Sequence, residues 1–398
     1  MLFTVASLAC GLAPSQVFLI AARAIQGFGG AIVAAVALSL VMNLFTKPVE
    51  RAKAMGIYGF VNSGGGSLGV LLGGILTNSL DWHWIFLVNL PLGIGGVALS
   101  LKLLPTTPGS SEKGRLDTTG AITVTAGMLL AVYAIVNGNQ VGWTSPQTLG
   151  QLSGAAALLI LFLIIESRVK APLMPLRLFK LRNLATANAI GILWAGGVFA
   201  WFFLSALYLQ LILGYTPLQV GLSFLPANLI MAAFSLGLSA KLVVRFGIRG
   251  PLTVELLLLT IGLALLVIAP VNGSFLLHVL PSMIILGIGS GMAFNPLLLA
   301  AMSDVPTKDS GLASGIVNTS FMMGGALGLA VLASLAAART ATELESGLDQ
   351  LSALLSGYHM AFLVGALIFT LTATILAATR LQPSRAIPYE EESTLPHH

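Results

Sequence analysis

Stretches of about 20 mostly apolar residues, the length that crosses a bilayer, recur from one end of this chain to the other. Hydrocarbon offers no water to stray peptide groups, so a spanning segment must close its own hydrogen bonds as a helix or join a closed barrel. Barrel strands alternate polar and apolar residues over about 10 positions. These stretches are longer and apolar throughout, so an all-α polytopic membrane protein is expected. Composition agrees, since 8% of the residues are charged against about 25% in a soluble domain. Twelve spans are read, near 1–13 (short), 16–43, 54–78, 84–104, 118–137, 150–166, 184–212, 218–240, 251–270, 275–302, 310–337 and 358–380. No basic flank precedes the first, so no cleavable signal peptide is expected.

A net charge of +5 could suggest a nucleic-acid partner, but the basic residues lie in short loops between spans, where topology explains them. Of the 19 Lys and Arg residues, 17 fall in one alternating set of loops and the tail, Arg339 alone falls in the opposite set, and Arg23 lies inside a span. That bias places the basic loops and both termini in the cytoplasm of a multi-pass cell-membrane protein, plasma or inner. Trp82, Trp84 and Trp143 then fall at the other face as interfacial aromatics.

The division expected is an N-terminal helical bundle over 1–104, a linker with two further spans over 105–183, a six-helix bundle over 184–380, and a disordered tail over 381–398. The linker opens on a polar segment (105–117) and closes on a basic one (166–183). Cys10 is the single cysteine, which excludes an intramolecular disulfide, and it reads as an inert packing residue. No histidine pair has metal-ligand spacing within a span. No phosphate-cradling Gly-Lys-Ser/Thr loop is present for ATP, and no polar catalytic cluster marks an enzyme. Neither a metal nor a cofactor is expected.

Two short matches relate the halves. Gly59-Phe60-Val61-Asn62-Ser63 resembles Gly315-Ile316-Val317-Asn318-Thr319, and Gln26-Gly27-Phe28-Gly29 resembles Leu286-Gly287-Ile288-Gly289. Matching spans in the same order and orientation point to parallel structural halves with a binding site at their interface.

Arg23 stands out within an apolar run, where an arginine costs several kcal/mol on most estimates unless it faces the protein interior or snorkels to the interface. Its counterpart in the second half is Met283, so the charge is not a requirement of the fold. Gly65, Gly69 and Gly73 repeat every fourth residue on one helix face, with Asn62, Gly66 and Gly74 on the adjacent row. Such spacing lets helix backbones approach closely. The span 310–337 repeats the theme with Gly311, Gly315, Ser320, Gly324 and Gly328. Glu255 follows Arg249 and Pro251 closely, which leaves both snorkelling with a local ion pair and a proton-handling role open. Trp194, Trp201, Tyr208 and Gln210, with the embedded amides Asn62 and Asn318, are candidate contacts for an apolar solute, though helix packing or lipid accounts for the aromatics equally well.

Here the chain resembles a family. Leu19-Ile20-Ala21-Ala22-Arg23-Ala24-Ile25-Gln26-Gly27-Phe28-Gly29-Gly30-Ala31 is similar to the fourth-helix motif of proton-coupled drug exporters of the major facilitator superfamily. Gly65 to Gly74 resembles the antiporter motif of the fifth helix. Trp82-His83-Trp84-Ile85-Phe86-Leu87-Val88-Asn89-Leu90-Pro91-Leu92-Gly93, Gln210 to Pro217, and Ser314 to Gly328 resemble signatures of the fourteen-helix EmrB/QacA-type subfamily. Val70 stands where the antiporter motif has proline, and His83 where the tryptophan signature has arginine. The fourth-helix motif falls in the second span, so the family's first two helices, the acidic residue of helix one and the Gly-x-x-x-Asp-Arg-x-Gly loop are expected to be absent. Lys241 to Gly247 resembles a degenerate copy of that loop, with Val244 in the aspartate position.

The resemblance implies a two-bundle transporter with two extra central helices, working as a monomer in the lipid bilayer. It implies alternating access that couples proton entry to export of a small amphipathic or drug-like solute. Arg23 would bias a neighbouring proton site, with Gln26 beside it and Glu255 as a further proton-coupling candidate, while Gly65, Gly69, Gly73 and Gly74 would pack the bundles together. Export of one metabolite, and a truncated chain that transports nothing, are the alternatives.

Overall fold

Helices take up the apolar stretches. The computed structural model describes residues 1–45, 71–103, 117–169, 172–234, 238–306 and 309–382, together with Glu50, Ala54, Ile57, Val61, Gly65 and Gly69. In chain order the helices are α1 (Leu2–Gly11), α2 (Gln16–Leu44), α3 (described as a continuous helix over 71–79), α4 (Trp84–Leu87) and α5 (Asn89–Leu103). The central pair is α6 (Thr118–Val141) and α7 (Pro146–Arg168). Then come α8 (Arg182–Leu207), α9 (Pro217–Ala233), α10 (Ser239–Phe246), α11 (Arg249–Leu266), α12 (Leu280–Met302), α13 (Ser310–Glu345), α14 (Gln350–Val364) and α15 (Thr372–Arg380). Wider π-helical turns extend α8 over Tyr208–Ile212, lead into α12 over Phe275–Val279, and join α14 to α15 over Gly365–Leu371.

Among the described residues, nine helical stretches are long and apolar enough to cross a membrane, and α1 and α9 are shorter apolar helices. The span read at 54–78 lies partly outside the described residues. Two boundaries on one loop differ most from the apolar runs. Helix α13 continues past 337 to Glu345, and the next begins at Gln350 rather than 358. Local polar chemistry extends both. Arg339 pairs with Glu343 one turn on. The Asp349 carboxylate caps α14 by accepting the Ser352 N–H at 3.1 Å, and that bonding holds Asp349 below the usual carboxylate range. Gly347, at φ 91°, makes the turn between them.

The large buried cluster lies in α8–α15, where Trp201, Leu204, Leu256, Leu259 and Leu286 are shielded almost completely. Helices α8 and α13 cross with backbones nearly touching, since a Cβ at Gly328 would sit 2.2 Å from the Gly196 Cα. Gly324 meets the Ile192 backbone in the same seam, while Gly311 and Gly315 meet nothing within 4 Å among the described residues. The basic linker is folded into this unit. The Glu166 carboxylate accepts the N–H groups of Leu173 (3.2 Å) and Met174 (3.0 Å), Leu178 is buried in the cluster, and Arg177 pairs with Asp309 at 2.9 Å. Asn183 donates to Ser303 and Asp304 and accepts the Gln382 N–H at 2.9 Å. The packed unit therefore takes in residues 172–183 as well as Leu381 and Gln382, at both edges of the bundle expected over 184–380. The rest of the tail lies outside the described residues.

The central pair attaches to this unit through α6. Asn139 Nδ2 donates to the Ser334 carbonyl (2.6 Å) and hydroxyl (2.9 Å), and Ser334 Oγ donates to the Ile135 carbonyl (3.1 Å). Trp143 Nε1 donates to Asn139 Oδ1 at 2.7 Å. Asn139→Ala removes three of these bonds, at about 1 kcal/mol each. A lower melting temperature in detergent and altered Trp143 fluorescence are expected, and an unchanged melting curve would refute the attachment.

The repeat has a structural counterpart. A Cβ at Gly29 would lie 2.7 Å from the Phe3 backbone of α1, and one at Gly289 would lie 2.8 Å from the Glu255 carbonyl of α11. The pair α1–α2 thus packs on a glycine where α11–α12 does. The other match, at 59–63, lies mostly outside the described residues.

Candidate functional site

In the first bundle the polar side chains of three helices meet around Gln26, which is 1% exposed on α2. One turn earlier on the same helix, Arg23 donates from Nη1 to Gln26 Oε1, and its guanidinium stands over the Phe86 ring of α4 at 5.6 Å from the centroid. The amide nitrogen of Gln26 donates to Ser7 Oγ of α1 at 2.7 Å. Asn89, at the start of α5, donates to the same oxygen at 3.1 Å, and the Ser7 hydroxyl donates to the Phe86 carbonyl at 2.9 Å. Cys10, fully buried, places its thiol 3.7 Å from Gln26 Oε1.

Arg23 therefore has neutral partners. Among the described residues no carboxylate pairs with it, and part of its side chain is exposed. A guanidinium carries five N–H donors in a planar fork, so most of its donors remain free for an incoming group. Its counterpart Met283 is fully buried and apolar.

The glycine row divides. A Cβ at Gly74 would lie 2.6 Å from the Pro217 carbonyl oxygen and 3.4 Å from the Leu218 Cα, so α3 meets the first turn of α9 backbone to backbone. Among the described residues, Gly65, Gly69 and Gly73 meet nothing within 4 Å. Asn62, Gly66 and Val70 lie outside the described residues.

Glu255 corrects one of the two readings left open. It does not reach an interface or pair with Arg249. It is 0% exposed, neither carboxylate oxygen has a hydrogen-bond partner among the described residues, and Arg249 turns instead to the Ala378 carbonyl. The close approach of α12 at Gly289 covers this stretch of α11.

Four aromatics of α8 sort into two packed groups, while Phe203 is exposed. Trp201 and Phe202 pack with Phe224 of α9, and Trp194 and Phe199 pack with Phe321 of α13. Tyr208 is buried and donates to the Pro270 carbonyl at 2.8 Å. Trp201 and Tyr208 are thus core residues rather than the lining of an open pocket, as the packing alternative has it. Gln210 and Asn318 are exposed and remain accessible. In the tryptophan signature, His83 stacks on Trp82 and pairs with Asp81 at 3.0 Å, which holds the Asp81 carboxyl below its usual range.

Sequence reasoning gave no role to Ser7, Asn89 or Phe86. A polar residue within each apolar run was the available signal, and Asn89 and Phe86 both fall in the tryptophan signature.

Residues 1–329 match the sequence profile of a family described as Major Facilitator Superfamily. The chain is similar to the puromycin resistance protein pur8 of Streptomyces alboniger, 35% identical over 92% of this chain and 74% of that one. It is 37% identical to the multidrug resistance protein Stp of Mycobacterium tuberculosis, over 88% of this chain and 64% of Stp. The cephamycin export protein CmcT of Amycolatopsis lactamdurans is 34% identical over 97% and 78% respectively. The chain thus spans between about two thirds and four fifths of the length of these relatives.

Proposed function

Because this chain belongs to the Major Facilitator Superfamily, we propose that it is a transmembrane exporter of small drug-like solutes, driven by proton entry through alternating access. The observation that carries the reading is an arginine within an apolar helix, held by neutral partners at the exposed edge of a buried polar cluster and, among the described residues, left with free donors. Relatives named for resistance to, or export of, drugs and antibiotics support the solute class. In this reading Arg23, supported by Gln26, repels a proton from a neighbouring site as solute moves. The Gly74–Pro217 contact closes one end of the path between the halves, and Gln210 and Asn318 offer exposed polar groups to the solute. The basic loops and both termini face the cytoplasm, and the working unit is a monomer surrounded by lipid.

The test is reconstitution of purified protein into vesicles holding a pH-sensitive dye, with puromycin and ethidium as probes. Proton movement on adding either probe supports antiport, and flux without proton movement removes the coupling. A narrower reading, export of one metabolite, is favoured by relatives named for single antibiotics, such as methylenomycin A and lincomycin. Counterflow with each compound separates the two.

Glu255 is the second proton-coupling candidate, because an ionisable group inside a membrane bundle is a functional site by default. Glu255→Gln keeps its shape and removes its titration. The expected result is at least about a tenfold fall in solute-linked proton flux, as befits the loss of a proton-transfer group, with probe affinity within about twofold. Unchanged flux would exclude Glu255 from the proton path.

A further inference from the structure

The Ser7 hydroxyl is fully committed. A serine hydroxyl has one proton and two lone pairs. The proton goes to the Phe86 carbonyl at 2.9 Å, and the lone pairs receive Gln26 Nε2 at 2.7 Å and Asn89 Nδ2 at 3.1 Å. Ser7 is 0% exposed and Gln26 1%, so solvent cannot replace any of these bonds. The arrangement has a direction. If the Gln26 amide turned over, its carbonyl would face a hydroxyl with no proton to give, and its NH2 would face the Arg23 guanidinium, donor against donor. A buried polar group left without its partner is strongly disfavoured.

We infer that Ser7 and Asn89 are positioning residues for Arg23: together they lock the Gln26 amide so that its carbonyl, and not its nitrogen, meets the guanidinium. Neither hydrogen-bonds to Arg23; both act through Gln26. The lock joins three separate helices, since Ser7 lies on α1, Gln26 on α2 and Asn89 on α5. The guanidinium is thereby held with Phe86 beneath it and its remaining donors free. The consequence for transport rests on the antiport reading, whereas the lock itself does not.

Cys10, the single cysteine of the chain, is a native reporter, because its buried thiol lies against Gln26 Oε1. The first arm measures the rate of N-ethylmaleimide labelling of Cys10 in the purified full chain. Asn89→Ala, which removes one bond to Ser7, is expected to accelerate labelling about fivefold, the opening factor for one lost buried hydrogen bond, and Ser7→Ala, which removes all three bonds of the hydroxyl, is expected to accelerate it more. Ser7→Thr, which keeps the hydroxyl, and Ser100→Ala, on the exposed side of α5, are expected to label at the wild-type rate. The second arm measures protons moved per solute molecule in vesicles. Ser7→Ala and Asn89→Ala are expected to lower that ratio as Gln26→Ala does, with the half-saturating solute concentration within about twofold. In the Gln26→Ala background, Ser7→Ala is expected to add nothing.

Labelling unchanged in both alanine variants overturns the inference, as does full additivity with Gln26→Ala. If Ser7→Ala does not fold, Asn89→Ala decides both arms. If the wild-type chain moves no protons with solute, the antiport reading falls, and the labelling arm still decides whether the lock exists.

Discussion

Arg23→Ala is expected to reduce solute-linked proton movement about a hundredfold, with the protein still folded and still able to bind solute. A unit charge about 5 Å from a proton-binding group interacts with it by roughly 3 kcal/mol at an effective dielectric of 20, which corresponds to about two orders of magnitude in proton occupancy. The residue makes few demands on the fold. Its partners are one amide and one ring, and its counterpart in the second half is apolar. Arg23→Lys keeps the charge but not the planar fork that meets Gln26 and stacks on Phe86, so an intermediate loss is expected. Met283→Leu serves as the control at the corresponding position. Proton movement in Arg23→Ala equal to wild type would remove the arginine from the mechanism, and a collapse in monodispersity or melting temperature would make its role structural.

Gly74→Leu is expected to block the approach of the two halves at the end where α3 meets α9. Even the first carbon of the new side chain would stand 2.6 Å from the Pro217 carbonyl and 3.4 Å from the Leu218 Cα, both main-chain groups that cannot rotate aside. Overpacking of this kind costs about 1–3 kcal/mol, enough to shift a two-state equilibrium by about 5- to 150-fold. Spin labels at Leu80 and Leu222, both exposed, should report a longer distance in the variant, and transport should fall with it. Gly95→Leu, at a glycine whose Cβ would meet nothing within 4 Å among the described residues, is the matched control. Wild-type distances and transport in Gly74→Leu would show that this contact is not needed to close the path.

The comparison of sequence with structure turns on how far apart the deciding residues lie. The membrane class, the run of helices and the alternation of basic loops were legible because the bilayer acts on each segment separately. About 20 apolar residues must form a spanning helix whatever their neighbours do. The helix ends at Glu345 and Gln350 were missed because an ion pair and an N-cap carried helix beyond the apolar run. Arg23 stood out as a charge within an apolar run, and Gln26 was placed beside it by the resemblance to the fourth-helix motif that holds both.

What no spacing rule could supply was the company these residues keep. Ser7 is separated from Gln26 by 19 residues and from Asn89 by 82, and only the packing of α1 against α2, α4 and α5 brings them together. Gly65, Gly69 and Gly73 share one helix face and Gly74 lies on the adjacent row, but spacing does not say which row meets another helix; among the described residues it is Gly74 that meets α9. Glu255 could be placed in a span from its neighbours along the chain, but its burial depends on α12 lying against α11 at Gly289. Local hydropathy therefore determined that this chain spans a membrane and roughly where. The tertiary structure decided which of its few polar side chains meet, because a hydrogen bond between helices depends on crossing geometry that a linear pattern does not encode.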